Sequence, residues 1–177
     1  DGVTAGKASC RKALAAEFGW NGLPYGRAFF GMIGRVVEMK GIDLLDQTME
    51  RFLSRNVCLI LVGSGEKKYE NMCQSWAERW PDQISWIMRY EPDLARRVYA
   101  GVDFSLMPSR EEPCGLSQLY SMRYGTGPVV HATGGLVDTV IDYSSDPQNG
   151  TGFRFKDFSG DCYLETIDRA LDLFSIP

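Results

Sequence analysis

Six short, mostly apolar runs recur along the chain, and each leads through a loop into a segment with helical spacing or a further turn. They cover residues 27–33, 57–62, 84–88, 102–107, 128–130 and 152–155. Runs this short cannot hold a helix and suit strands buried on both faces. The segments that follow read as helices over 42–53, 67–80, 92–100, 116–124 and 160–174, with a further short helix opened by Thr133-Gly134-Gly135. Leu44, Leu45, Met49, Phe52 and Leu53 mark the inner stripe of the first. Pro92 suits the first turn of the third. An amphipathic, Ala-rich helix over 5–18 precedes them, joined by a turn-rich connector over 19–26. Strands that alternate with helices imply crossover connections and a parallel sheet covered on both sides. The expectation is one doubly wound α/β domain across 1–177, a length that fits a single core.

Charge and cysteine usage exclude several functions. A net charge of −4 lacks the basic stripe that nucleic acid requires. No run approaches the roughly 18 apolar residues of a membrane helix. Cys10, Cys58, Cys73, Cys114 and Cys162 are odd in number and form no Cys-x-x-Cys pair. Reduced thiols, and so a cytosolic or similarly reducing compartment, are expected. No Cys/His/Asp cluster has metal-ligand spacing, so no metal is predicted. The opening Asp1-Gly2-Val3 has no initiator Met and reads as a piece cut from a longer chain.

The chemistry concentrates between Pro108 and Thr139. Two helix starts follow neighbouring strands there, at Gly115-Leu116-Ser117 and at Thr133-Gly134-Gly135. In an α/β sheet both would face the crevice at the carboxyl ends of the strands. Free N–H groups and the positive dipole end make phosphate a natural occupant, although Ser117 also reads as an ordinary cap. Glu112 has the wrong charge for phosphate and should face an uncharged, hydroxyl-rich part of the ligand. Its plain alternative is a carboxylate that complements a helix dipole. Arg35 and Lys40, five positions apart after the first strand, suit either a diphosphate or a solvated surface pair. Gly63-Ser64-Gly65 is not a dinucleotide fingerprint, because Lys67 and Lys68 stand where the last glycine would fall. His131, the lone histidine, reads as packed or solvent-facing, and Trp20, Trp76, Trp80 and Trp86 as core or interhelix aromatics.

Pro-Ser-Arg-Glu-Glu-Pro-Cys-Gly-Leu-Ser from Pro108, followed by His-Ala-Thr-Gly-Gly-Leu-Val-Asp-Thr-Val from His131, resembles the signature of the bacterial glycogen and plant starch synthases. The resemblance runs from about Ala28 to the end. It implies a Rossmann-like domain, the C-terminal, nucleotide-sugar half of a two-domain GT-B glycosyltransferase whose N-terminal domain would carry the acceptor contacts. The implied reaction is retaining transfer of glucose from ADP-glucose to the non-reducing end of an α-1,4-glucan, by front-face attack and without a protein nucleophile. The alternatives are a catalytically silent nucleotide-sugar or glucan-binding module and a GT-B transferase for another sugar nucleotide. By resemblance, Arg35 and Lys40 hold the diphosphate and Glu112 contacts the transferred glucose. Cys114, Gly115, Leu116, Ser117, Thr133, Gly134 and Gly135 would surround the donor, and Tyr90 would stack on adenine. No cofactor is implied beyond the donor, and the compartment would be the cytoplasm, or the plastid in a plant. Glu111 and His131 depart from the family pattern, which carries an apolar residue and more often Arg at these places. The piece alone is expected to bind ADP weakly and not to polymerise glucose.

Overall fold

The structure is a computed structural model that describes residues 2–20, 26–89 and 91–175. Each of the six apolar runs becomes one strand: β1 (Phe29–Ile33), β2 (Cys58–Val62), β3 (Ile84–Ile87), β4 (Phe104–Met107), β5 (Gly127–His131) and β6 (Phe153–Phe155). They form one sheet in the order β3-β2-β1-β4-β5-β6, with every pairing parallel. The helices are α1 (Gly2–Glu17), α2 (Ile42–Leu53), α3 (Lys67–Arg79), α4 (Pro92–Gly101), α5 (Ser117–Arg123), α6 (Gly135–Thr139) and α7 (Gly160–Phe174). The doubly wound α/β expectation therefore holds among the described residues.

Alternation along the strands explains the two covered faces. Phe30, Leu59, Leu61, Leu106, Val129 and Phe153 pack in one core with side chains of α2, α3 and α7. Phe29, Cys58, Ile60 and Val62 pack in the other with side chains of α1 and α4. β2 is buried along its whole length, which is why its sequence, Cys-Leu-Ile-Leu-Val, shows no polar alternation. Each such side chain contributes roughly 1.5–3 kcal/mol by leaving water. α2 buries Leu44, Leu45, Met49, Phe52 and Leu53, as its stripe predicted, and Ile42 and Thr48 besides. Trp20 is buried against Phe18 and Phe29, so it serves this core and is not a surface platform. α1 is fastened from outside as well: Arg11 bonds Asp103, whose carboxylate also accepts the Phe29 N–H at 2.7 Å.

Two features of the core give direct tests. Tyr163 lies fully buried on α7 and its hydroxyl has no hydrogen-bond partner among the described residues, while burial pushes its ionisation up. An orphaned hydroxyl costs about 1–3 kcal/mol, so Tyr163→Phe should stabilise the fold by about 1 kcal/mol. Thermal melting should show this as a rise of about 2–4 °C. The five thiols are all free. Cys58 and Cys73 are buried, and burial holds the Cys73 thiol at about 12. Cys10 and Cys114 are exposed. A thiol-disulfide reagent at pH 8 should modify Cys10 and Cys114 rapidly and reach Cys58 and Cys73 only on unfolding.

Candidate functional site at the strand-order switch

The sheet winds outward from β1 through β2 to β3, and from β4 through β5 to β6. At such a switch the loops leaving the two central strands diverge and open a crevice. Here it is a recess of about 220 Å³ whose lining includes Arg35, Lys40, Ser109, Glu112 and Ser117, with Met32, Ile33, Leu106 and Met107 beneath. Arg35, Lys40, Glu112 and Ser117, four residues singled out from sequence, thus meet in one place. Ser109 joins them.

Hydrogen bonds between neighbouring loops set the positions of these groups. The loop after β1 is tied to the loop after β2 through Val36 N–H to Ser64 O (3.1 Å) and Glu66 N–H to Val36 O (3.0 Å). Gly63-Ser64-Gly65 is therefore part of the support beneath Arg35. Arg35 is exposed and, among the described residues, has no ion-pair partner. Lys40 ends a single 3₁₀ turn, Glu38–Lys40, that the periodicity did not reveal. Gly41 stops that turn at φ 74°, and a Cβ there would lie 1.9 Å from the Pro108 carbonyl oxygen. Only glycine allows the lysine turn to press this closely on the end of β4. Arg110 N–H then donates to Met39 O at 2.9 Å and closes the contact.

Glu112 is 9 % exposed. Lys40 Nζ pairs with its Oε2, and Ser109 Oγ donates to the same oxygen at 3.2 Å. In the recess the lysine charge is thus matched by the carboxylate, and the guanidinium of Arg35 has no such match among the described residues. Glu111 is exposed.

The second group of expected residues lies beside the recess. α5 starts at Ser117, with Leu116 at its cap position and 60 % exposed. α5 has seven residues and α6 five, so their dipoles are small and their free N–H groups matter more. The Gly135 N–H donates to Glu112 O at 3.0 Å. A Cβ on Gly134 would fall 2.1 Å from that same oxygen, and one on Gly135 would fall 2.4 Å from Cys114 O. The close neighbour of these glycines is the 112–114 backbone. Thr133 N–H is likewise spent on His131 O at 2.8 Å. Tyr90 lies outside the described residues.

Two contributors were missed from sequence. Ser109 follows the strand end directly and is 1 % exposed, and its hydroxyl had no motif of its own. Gln118, fully buried on α5, places its amide nitrogen 3.2 Å from Cys114 O, 3.1 Å from Gly115 O and 3.1 Å from Thr139 Oγ1. It fastens the Pro-Cys-Gly turn to α6. A glutamine on the inward side of a short helix was the available signal.

Residues 16–173 match the family model for glycosyl transferases group 1. The chain belongs to that family. Within it the similarity is to glycogen synthases: 45 % identity over 175 residues with that of Anaeromyxobacter dehalogenans, covering 98 % of this chain and 36 % of that protein. The glycogen synthase of Kosmotoga olearia is 44 % identical over 144 residues, 81 % of this chain and 30 % of that one. The chain thus spans about a third of the length of these relatives. The catalytic domain of starch synthase IV from Arabidopsis thaliana, solved bound to ADP and acarbose, superposes with a TM-score of 0.89 at 28 % identity over 97 % of this chain and 36 % of its own. The six-stranded parallel sheet is accordingly the Rossmann-like C-terminal domain of a GT-B glycosyltransferase. The resemblance to glycogen and starch synthases read from the Pro108 and His131 motifs stands. Among the described residues no helix is long and apolar enough to cross a membrane.

Proposed function

We propose that this chain is the donor-binding half of a glycogen-synthase-type enzyme, which transfers glucose with retention from ADP-glucose to the end of an α-1,4-glucan. The observation that carries the reading is the meeting of Arg35, Lys40 and Glu112 in one recess, within a chain 43–45 % identical to glycogen synthases. Arg35 offers a planar fork and Lys40 a point charge to a diphosphate. Glu112, paired with Lys40, is left for the hydroxyl-rich sugar. As the bond to the departing diphosphate breaks, negative charge grows on its oxygens, and fixed cations aimed there lower the barrier. Ser117 adds a hydroxyl at the start of α5. The solved starch synthase relative holds ADP and acarbose, which supports a nucleoside diphosphate and a glucan as the partners here. Acceptor contacts and the opposite wall of the cleft belong to a domain outside these residues.

Calorimetric titration of the 177-residue chain with ADP and with UDP tests this reading, beside Arg35→Ala. ADP should bind with millimolar or tighter affinity, UDP less well, and the variant should weaken ADP by about tenfold, the worth of one charge-assisted hydrogen bond. Equal binding by wild type and Arg35→Ala would remove Arg35 from the site.

A further inference from the structure

His131 ends β5 behind Ser109 of the recess, and it is the only histidine in the chain. Its ring lies between Phe155 (5.2 Å) and Phe158 (5.3 Å), the second ring edge-on. Nδ1 is 2.8 Å from Ser109 O and Nε2 is 3.2 Å from Lys156 O. Carbonyls accept only, so each bond needs a proton on the ring nitrogen that faces it. A neutral imidazole carries one N–H, so it holds the loop after β4 through Nδ1 or the loop after β6 through Nε2, and the shorter contact is the one to Ser109. The residue it grips, Ser109, is the one whose hydroxyl donates to Glu112 Oε2. Lys40 meets that carboxylate at the same oxygen. Glu112 is otherwise held by its own backbone, through the Gly135 N–H. One carboxylate oxygen is thus fixed by two donors, and one of those donors is placed by the histidine.

We infer that Ser109 and His131 are positioning residues: together they set the angle at which the Glu112 carboxylate faces the sugar of the donor. This rests on the reading above that Glu112 serves the sugar and Arg35 and Lys40 the diphosphate. Ser109 touches the carboxylate and needs no ligand contact. His131 acts through Ser109 and through the packing of its ring on Phe155 and Phe158. A carboxylate released from this hold keeps its charge but loses the single orientation that a sugar hydroxyl requires, so discrimination falls before diphosphate binding does.

The test compares ADP-glucose with ADP on the 177-residue chain by calorimetry, for wild type, Ser109→Ala, Ser109→Thr and His131→Phe. Phenylalanine keeps an aromatic ring in the His131 niche and removes only the nitrogens. Ser109→Ala and His131→Phe should weaken ADP-glucose by about tenfold, the worth of one hydrogen bond to a charged group, and leave ADP within about twofold. Ser109→Thr, which keeps the hydroxyl, should restore the wild-type ratio. Equal losses for both ligands, or no loss for either, would overturn the inference. A second arm needs no ligand. In a double-mutant cycle read by thermal melting, Ser109→Ala and Glu112→Gln should be coupled, the double variant losing less than the sum of the single losses. Strictly additive losses overturn the positioning role by themselves. If wild type binds neither nucleotide while the coupling is found, the donor reading fails and the positioning of Glu112 stands.

Discussion

Lys40→Ala is expected to weaken ADP binding by about 10- to 100-fold, the largest single loss in the recess. Two effects add. The substitution removes a cation that would meet a phosphate oxygen, and it leaves Glu112 as an unmatched, largely buried negative charge beside the incoming diphosphate. Arg35→Ala carries only the first effect, because Arg35 pairs with no carboxylate among the described residues. The opposite change separates the terms. Glu112→Gln keeps the shape and removes the charge, so Lys40 is freed and ADP should bind a few-fold tighter, while binding of the glucose-bearing donor weakens. The double variant Lys40→Ala/Glu112→Gln should then recover part of the Lys40→Ala loss, a coupling expected for groups in contact. Calorimetry on the four proteins measures all of this. A Glu112→Gln protein that loses as much ADP affinity as Lys40→Ala would show that the two do not oppose each other. Stability should follow the same logic: Lys40→Ala strands a carboxylate supported by Ser109 alone and should lower the melting temperature, whereas Glu112→Gln should lower it less.

Most of this geometry was legible in the sequence because burial left a local signature. β2 is buried on both faces and therefore reads as an unbroken apolar run, and α2 is buried on one face and reads as a stripe; both were placed to within a residue. The ends of β1 and β4 were less clear, because Arg27 and Asp103 interrupt the apolar pattern for reasons that lie elsewhere in the chain. Arg27 bonds the Asn56 side chain and Asp103 binds Arg11 and the Phe29 N–H. In the recess, Arg35, Lys40 and Glu112 were visible as charges in loops and by their resemblance to a known motif. Ser109 and Gln118 were not, since a small or uncharged polar residue acquires its role only from partners distant in sequence: His131 is 22 positions from Ser109 and Thr139 is 21 from Gln118. The Thr133-Gly134-Gly135 turn shows the same limit from the other side. Its residues marked a helix start, and the backbone that packs against Gly134, that of Glu112, lies 22 positions earlier in the chain.

That contact makes Gly134→Ala a damaging substitution despite its small size. Gly134 sits at φ 47°, ψ −136°, a region that side chains other than hydrogen do not tolerate without strain of about 1–3 kcal/mol. The added Cβ would also lie 2.1 Å from Glu112 O and 3.4 Å from the Pro113 Cα, both backbone atoms that cannot rotate aside. Relieving the clash pulls the 112–113 segment off α6 and breaks the Gly135 N–H bond to Glu112, worth about 1 kcal/mol. A total of about 3 kcal/mol corresponds to a melting temperature lower by about 6–12 °C for a domain of this size. Gly125→Ala supplies the control: its φ is 69°, so it shares the left-handed strain, but no atom lies within 4 Å of the new Cβ. It should cost only about 1 kcal/mol. The difference between the two melts isolates the crossing of the backbones, and equal melts would refute it. Because the displaced segment carries Glu112, the Gly134→Ala protein should also lose ADP-glucose affinity at temperatures where it remains folded, which the Gly125→Ala protein should not.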